Sequence, residues 1–384
     1  MRLTIPLLAL IAVLLAGPVR AADSAAYILV DVNSGTVLDS RSADHRWEPA
    51  SLTKLMTAYL TFKALRDGTL KPSSPVRISA LAARQAPSKM GYRPGTIINV
   101  DNALKMLLVK SANDIAMALA ETIGGSEKGF VAMMNAEAQR LGMVSTHYDN
   151  PNGLTSPGQI TTPRDLAVLA RALWLDFPEH RALFGIPALK AGNRVLPSEN
   201  VLLERYPGAV GMKTGFVCAA GYNIIGMANR SGRQLMVVVL GARSAETRAE
   251  MAAVLLNRGF GNTYNGSAHP QLASFDATPS TTPVANLRGQ VCAPGGVPED
   301  PDVLLTSVGA TAALGPPTQV MAPVPVYTGH ADMVATDIKA PPTARKVPLP
   351  RLRPTIGMAA PRVYATQPAP AEAANAPLDL TQVH

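Results

Sequence analysis

Pro49-Ala50-Ser51-Leu52-Thr53-Lys54-Leu55-Met56-Thr57 opens a helical pattern that runs from Ser51 to Arg66. Leu55, Tyr59, Leu60 and Phe62 recur at a spacing that lets them face inward, and Asp67-Gly68-Thr69 ends the run. Residues three apart share a helix face, so the Ser51 hydroxyl and the Lys54 amine can meet. A serine needs a base to act as a nucleophile at neutral pH, and a lysine of lowered pKa can serve as one. A serine at a helix N-terminus also sits among free backbone N–H groups that stabilise developing negative charge. Alone, Ser-x-x-Lys is weak, because it arises by chance about once in a few hundred residues. An N-cap serine beside a solvated lysine fits the same four residues.

Upstream of this pattern, Ala25 to Asp31 and Thr36 to Asp39 read as two strands joined across Val32-Asn33-Ser34-Gly35, where Asn and Gly supply hairpin conformations. Downstream, helices are expected over Val100 to Val109, Asp114 to Ile123, Glu127 to Leu141 and Thr162 to Leu175. Gly124-Gly125 and Gly142 act as stops, and Pro163 stands early in its helix, where proline is tolerated. Tyr148 to Gly153 reads as a polar, turn-rich loop. Arg194 to Val195, Gly211 to Thr214, Tyr222 to Asn229 and Arg233 to Leu240 read as strands returning to the sheet, with Ser244 to Leu256 as a closing helix. Strands, a block of helices, strands again and one last helix predict the α+β type of α/β fold. Its antiparallel sheet is flanked by helices and carries an inserted helical subdomain.

Two further clusters carry candidate chemistry. Ser111-Ala112-Asn113 places a hydroxyl and an amide at a junction between helices, one suited to proton relay and the other to holding a substrate amide. Ser198-Glu199-Asn200 has the same form, and a helix-junction cap accounts for either. Lys213-Thr214-Gly215 falls on an edge strand, where Lys213 adds positive charge, Thr214 can bond a carboxylate and Gly215 permits close approach of a backbone. The combination S-x-x-K, S-D-N and K-T-G is the signature of class A β-lactamases and penicillin-binding proteins. Here the three clusters occur in that order.

The chain resembles the D-alanyl-D-alanine carboxypeptidases, the low-molecular-mass penicillin-binding proteins of peptidase family S11. The resemblance extends over about residues 24–262. It includes Ala26 to Asp31, Pro49 to Thr57, Ser111 to Glu121, Leu141-Gly142-Met143, Asn150 to Leu154 and Gly211 to Gly215 followed by Ala220-Gly221-Tyr222. It implies a β-lactamase/transpeptidase-like fold and removal of the terminal D-alanine from peptidoglycan stem peptides. It also implies covalent inhibition by β-lactams, and no cofactor. Ser51 is then the nucleophile, Lys54 its base and Ser111 the proton relay, while Asn113 holds the substrate amide. Lys213 and Thr214 orient the terminal carboxylate beside Gly215, with Arg248 near the same group. Backbone N–H groups of Ser51 and Phe216 form the oxyanion hole. Two departures stand out: alanine in the middle of the second motif, and the apolar Phe216-Val217-Cys218 after the third.

The ends of the chain define compartment and organisation. Met1-Arg2, the apolar run Leu3 to Ala16 and Val19-Arg20-Ala21 have the layout of a secretory signal peptide over 1–21. The mature protein then begins near Ala22 and works outside the cytoplasm, in the periplasm or its equivalent. Cys218 and Cys292 in an exported chain favour a disulfide, with two separately buried thiols as the alternative. The scattered histidines have no metal-ligand spacing. A net charge of +8 suits a polyanionic partner, but aromatic residues at 5% argue against nucleic acid.

The catalytic domain is expected over 22–262. Residues 263–384 hold more than half of the 33 prolines and read as a Pro/Ala-rich linker or largely disordered tail, with a possible small β module at 283–335. The Pro-interleaved basic stretch Lys339 to Arg362 suits contact with the wall or anionic lipid. Asn375 to His384 is too short and too weakly patterned for an amphipathic anchor, which leaves membrane association doubtful. Three other readings compete. A class A β-lactamase needs a Glu-x-x-Leu-Asn segment that is missing between Ser111 and Lys213. A D,D-endopeptidase would cut cross-links, and a catalytically silent wall-binding protein would keep the cleft for recognition.

Overall fold

The computed structural model describes residues 25–261, 269–292, 313–317 and 322–329. The expected signal peptide, the basic stretch 339–362 and the final ten residues lie outside the described residues. The chain opens with the hairpin β1 (Ala26–Asp31) and β2 (Val37–Arg41). A 3₁₀ turn, Ala50–Thr53, leads into α1 (Lys54–Arg66). Then follow β3 (Pro75–Arg77), α2 (Ala80–Ala83), β4 (Ile97–Asn99), α3 (Val100–Leu108), α4 (Asn113–Gly124), α5 (Glu127–Arg140) and α6 (Pro163–Asp176). A 3₁₀ segment, Pro178–Gly185, precedes β5 (Ala188–Ala191), β6 (Arg194–Pro197) and α7 (Leu202–Arg205). The long strands β7 (Ala209–Val217), β8 (Gly221–Arg230) and β9 (Arg233–Ala242) lead to α8 (Ala245–Phe260), followed by α9 (Arg288–Val291) and β10 (Val324–Val326).

The main sheet has the order β2-β1-β9-β8-β7, and every neighbouring pair is antiparallel. Its two faces follow directly from strand alternation. Ile28, Val30 and Val32, with Met236, Val238 and Leu240, point into the larger core beneath α6 and the other helices. Leu29, Leu235, Val237 and Val239 point the other way, against Ala249, Ala252, Ala253 and Leu256 of α8. A continuous apolar run is therefore what these strands require, since neither face meets water. Each large side chain buried in this way contributes roughly 1.5–3 kcal/mol.

In the helical part, α1 and α4 are buried on nearly all sides, from Lys54 to Phe62 and from Asn113 to Ala120. The surrounding helices begin at side-chain caps: Asn99 accepts from Asn102 N, Ser126 from Gly129 N and Thr162 from Asp165 N.

Two expectations are corrected. The pattern from Ser51 to Arg66 is not one helix: Ser51 lies in the 3₁₀ turn, and the α-helix begins at Lys54. A 3₁₀ turn has three residues per turn, so residues i and i+3 eclipse, which stacks Ser51 directly below Lys54. The strand at Arg194 to Val195 does not return to the main sheet. As β6 it pairs with β5, which in turn pairs in parallel with β10, forming a separate three-stranded sheet. The stretch is short and largely exposed, with Leu196 as its buried residue, so it has no apolar face to place inside the main sheet.

Residues 269–292 lie along this body. Pro270 O accepts from Val37 N, Ala285 N donates to Arg46 O and Leu287 N donates to Ala219 O, while Leu272, Ala285, Leu287 and Val291 are buried. The segment ends in the Cys218–Cys292 disulfide, with a Cα separation of 5.6 Å. Within 283–335 the described residues are the helix α9, the strand β10 and short irregular segments, and the remainder lies outside the described residues.

Two glycines set the close approaches around the 3₁₀ turn. A Cβ on Gly153, whose φ is +87°, would lie 1.8 Å from Ala50 O, and one on Gly215 would lie 2.9 Å from Ser51 N. Loop 150–154 therefore presses on Ala50 and the edge strand β7 on Ser51, so both close on the 3₁₀ turn. Two outcomes are expected. Gly153→Ala combines a disfavoured φ with a backbone clash and lowers stability by about 2 kcal/mol or more in urea unfolding. Replacing both cysteines by serine reopens a loop of 74 residues. That lowers unfolding stability by about 2–4 kcal/mol while β7 and its neighbours keep their amide-exchange protection.

Candidate active site

Ser51 and Lys54 meet as the eclipsed spacing requires: Lys54 Nζ lies 2.9 Å from Ser51 Oγ. The second neighbour of this amine is Asn152 O at 2.6 Å, presented by the loop that Gly153 allows to approach. Loop and turn are joined again where Thr57 Oγ1 donates to Pro151 O at 2.6 Å and Gln159 Nε2 to Thr53 Oγ1 at 2.8 Å. Lys54 is fully buried. Burial holds its pKa well below the ordinary lysine value, helped by the charge of Lys213 and opposed by Glu199 and Asp114. A neutral lysine amine has two N–H donors and one lone pair. With one N–H on Asn152 O, its lone pair is available to the Ser51 hydroxyl.

The backbone entering the turn is unusual. Ala50 has φ 48° and Ser111 has φ 62°, in the left-handed region that residues with a side chain seldom occupy. Non-glycine residues in this region concentrate at functional sites, where surrounding packing holds them. Ala112 occupies the N-cap position of α4 and makes no side-chain cap. Ser111 and Asn113, one on each side of it, are thus free of capping duty and turn toward the cleft. Asn113 Nδ2 donates to Ala86 O at 2.9 Å and Pro87 O at 3.1 Å, which commits both of its N–H groups to the backbone before α4. The carbonyl oxygen is the part of this amide left to accept from a ligand. Asp114 fixes the same loop by accepting from Met90 N and Gly91 N at 3.0 and 2.9 Å.

On the edge strand β7, Lys213 Nζ donates to Ser111 Oγ and to Thr214 O, both at 2.9 Å. Burial lowers the Lys213 pKa to about 8, with Glu199 pulling it up and Arg248 pushing it down. Thr214 Oγ1 donates to Glu199 Oε2 at 3.2 Å. Arg248, on α8, is buried and its pKa is pushed down by that burial; its Nη2 donates to Glu199 O at 3.3 Å. Phe216 stacks obliquely on Tyr222 with centroids 4.4 Å apart.

Ser51, Ser111, Asn113, Asn152, Gly153, Glu199, Phe216 and Val217 line one cleft. The fold thus brings together Ser51, Lys54, Ser111, Asn113, Lys213, Thr214, Gly215, Phe216 and Arg248 from four separate stretches of chain. Cys218 follows two residues after Phe216 on the same strand end, so the disulfide is anchored beside the cleft. Sequence reasoning missed Asn152 and Glu199. The turn signal at Asn150 to Gly153 marked a loop but gave no hint that a main-chain oxygen would reach Lys54. Glu199 sat inside a Ser-x-Asn cluster that a helix cap explains, and Asn200 Oδ1 does accept from Leu202 N at 3.3 Å. The acidic residue between the two is the one that faces the cleft.

The arrangement can perform acyl transfer. It supplies an activated hydroxyl, a hydroxyl on a cationic relay across the cleft, and a threonine with two buried cations suited to a carboxylate. Among the described residues no group of histidine, cysteine, aspartate and glutamate is placed to hold a metal ion.

The family profile described as D-alanyl-D-alanine carboxypeptidase matches residues 15–244. The D-alanyl-D-alanine carboxypeptidase DacC of Escherichia coli is 36% identical over 251 residues, which is 62% of this chain and 61% of that protein. DacF of Bacillus subtilis is 34% identical over 238 residues, covering 61% of each. The chain thus spans about three fifths of the length of these relatives. Among solved structures, DacD of Francisella tularensis superposes with a TM-score of 0.60 at 30% identity, over 62% of this chain and 70% of that one. Penicillin-binding protein D2 of Listeria monocytogenes, solved with cefotaxime bound, gives 0.56 at 32% identity over 61% and 96%. The helix-and-sheet architecture is that of the penicillin-binding proteins, and the chain belongs to peptidase family S11, the D-alanyl-D-alanine carboxypeptidases.

Proposed function

We propose that this protein is a serine-type D-alanyl-D-alanine carboxypeptidase that removes the terminal D-alanine from peptidoglycan stem peptides through an acyl-enzyme on Ser51. The observation that carries the reading is the 2.9 Å contact between Ser51 Oγ and the amine of a fully buried lysine. Neutral Lys54 takes the Ser51 proton as Oγ bonds to the carbonyl carbon of the D-Ala-D-Ala bond. The carbonyl oxygen, now negative, is received by the backbone N–H groups of Ser51 and Phe216. As the C–N bond breaks, the proton passes to the leaving amine by way of Ser111, whose hydroxyl is held by Lys213. Water then attacks the ester with Lys54 again as base, and the shortened peptide leaves.

Binding follows from the same side chains. Thr214, Lys213 and Arg248 receive the terminal carboxylate, and Asn113 Oδ1 accepts from a substrate N–H. The relatives' family and the cefotaxime-bound neighbour support β-lactams as covalent ligands of Ser51. We place the mature enzyme outside the cytoplasm, where peptidoglycan is, in keeping with the signal-peptide layout of its first residues. The basic stretch 339–362 is suited to contact with the wall or anionic lipid.

The test is D-alanine release from a diacyl-Lys-D-Ala-D-Ala peptide by residues 22–384. The intact protein releases D-alanine and Ser51→Ala reduces the rate by about a thousandfold or more. Release of monomers from cross-linked muropeptides without D-alanine release from the peptide would replace this reading with an endopeptidase. The pH profile gives a second check. Lys54 acts as a base only when neutral, so kcat/KM rises as Lys54 loses its proton. Lys213 serves the carboxylate only when charged, so kcat/KM falls as pH passes about 8. Lys54→Arg cannot deprotonate in this range, and costs about 10²–10⁴-fold in the acylation rate by a fluorescent penicillin.

A further inference from the structure

Glu199 is the feature of this cleft that the proposed chemistry leaves unused. It stands between β6 and α7, half exposed, and lines the same cleft as Ser51 and Ser111. Its Oε2 accepts the hydroxyl proton of Thr214 at 3.2 Å. Its main-chain oxygen accepts from Arg248 Nη2 at 3.3 Å, and Arg248 Nε is buried with no hydrogen-bond partner. The Glu199 carboxylate acts electrostatically on Lys54, Lys213 and Arg248, all buried. The groups suited to reading a substrate carboxylate thus already face a carboxylate supplied by the protein.

Two costs to an incoming carboxylate follow. Thr214 has a single hydroxyl proton, so donating it to a ligand requires withdrawing it from Glu199. A second negative charge near Glu199 is repelled, and in a cleft with buried walls that repulsion is screened less than in water. A ligand with an uncharged end meets the first cost only in so far as it needs Thr214, and does not meet the second.

We propose that Glu199 is a specificity-determining residue: a built-in counter-ion that occupies the Thr214 hydroxyl in the empty cleft and competes with the terminal carboxylate of the substrate. The inference rests on the D-Ala-D-Ala reading above. It implies that the enzyme binds its carboxylate-ended substrate less tightly than its cations allow, and discriminates weakly against neutral chain ends.

The experiment compares the unaltered protein with Glu199→Gln and Glu199→Asp, using KM for diacyl-Lys-D-Ala-D-Ala and the inhibition constant of the same peptide with its C-terminus amidated. Gln keeps an acceptor for Thr214 but removes the charge; Asp keeps the charge. The expected result is a KM for the acid peptide about fivefold or more lower in Glu199→Gln. Binding of the amide is unchanged within about twofold, and Glu199→Asp remains near the unaltered protein. An unchanged or raised KM for the acid peptide overturns the proposal, as does an equal shift for both peptides, which marks a role in cleft shape alone. If the unaltered protein releases no D-alanine, the underlying reading fails and this inference falls with it. If it does release D-alanine while Glu199→Gln leaves KM unmoved, this inference alone is lost.

Discussion

Lys54 has no contact with water, and its amine has two close polar neighbours, Ser51 Oγ and Asn152 O. A charged amine held there loses its hydration with little to replace it, so burial shifts the group toward its neutral form. The conditions for that burial reach far into the fold. Below Lys54, the 3₁₀ turn stacks Ser51 in register. Beside it, loop 150–154 closes over the amine, which requires glycine at 153 and the bonds from Thr57 and Gln159. Around it, α1 is enclosed by the other helices and the sheet. A defect in any of these admits water and returns the lysine to its charged form.

The opposite wall is built by a different device. Ser111 stands in a left-handed conformation just before α4, where alanine rather than a polar residue takes the cap position. The stability given up at the cap, typically about 1 kcal/mol, leaves two polar side chains unspent. One is fixed by Lys213 from the edge strand, and the other by backbone carbonyls of Ala86 and Pro87. Basic groups crowded in one cleft disfavour each other's charged forms: Lys213 pushes the Lys54 pKa down and Arg248 pushes that of Lys213 down, while Glu199 opposes both shifts and Asp114 opposes the first. The electrostatic balance of the empty cleft therefore depends on acidic side chains outside the three motifs.

The segment 269–292 adds a structural layer that covers exposed strand and loop atoms near the start of the chain. It bonds to Gly35, Val37 and Arg46 before reaching the disulfide beside the end of β7. Because that strand end follows Phe216 directly, the bridge ties the covering segment to the rim of the cleft. Its proline content did not prevent this, since each bond uses a backbone group that proline leaves intact or a neighbouring residue supplies.

What the sequence determined by itself is the part governed by local rules. The continuous apolar runs of β1 and β9, the helical spacing in α3 to α6 and the order of the three motifs are local features of the chain, so the layered fold and the candidates Ser51, Lys54, Ser111 and Lys213 were legible from the residues alone. The division between 3₁₀ turn and α-helix at Ser51 was not, because both place residue i+3 above residue i and differ by packing from outside. The separate sheet of β5, β6 and β10 was hidden because four-residue strands carry too little pattern to choose a partner. Tertiary structure alone decided that Asn152 would lend its main-chain oxygen to Lys54, and that Glu199 would reach Thr214 from a different loop. Those contacts join groups 98 and 15 residues apart in the chain. Main-chain oxygens are the same at every residue, and a carboxylate carries no mark of the cation it will face until the chain has brought them together.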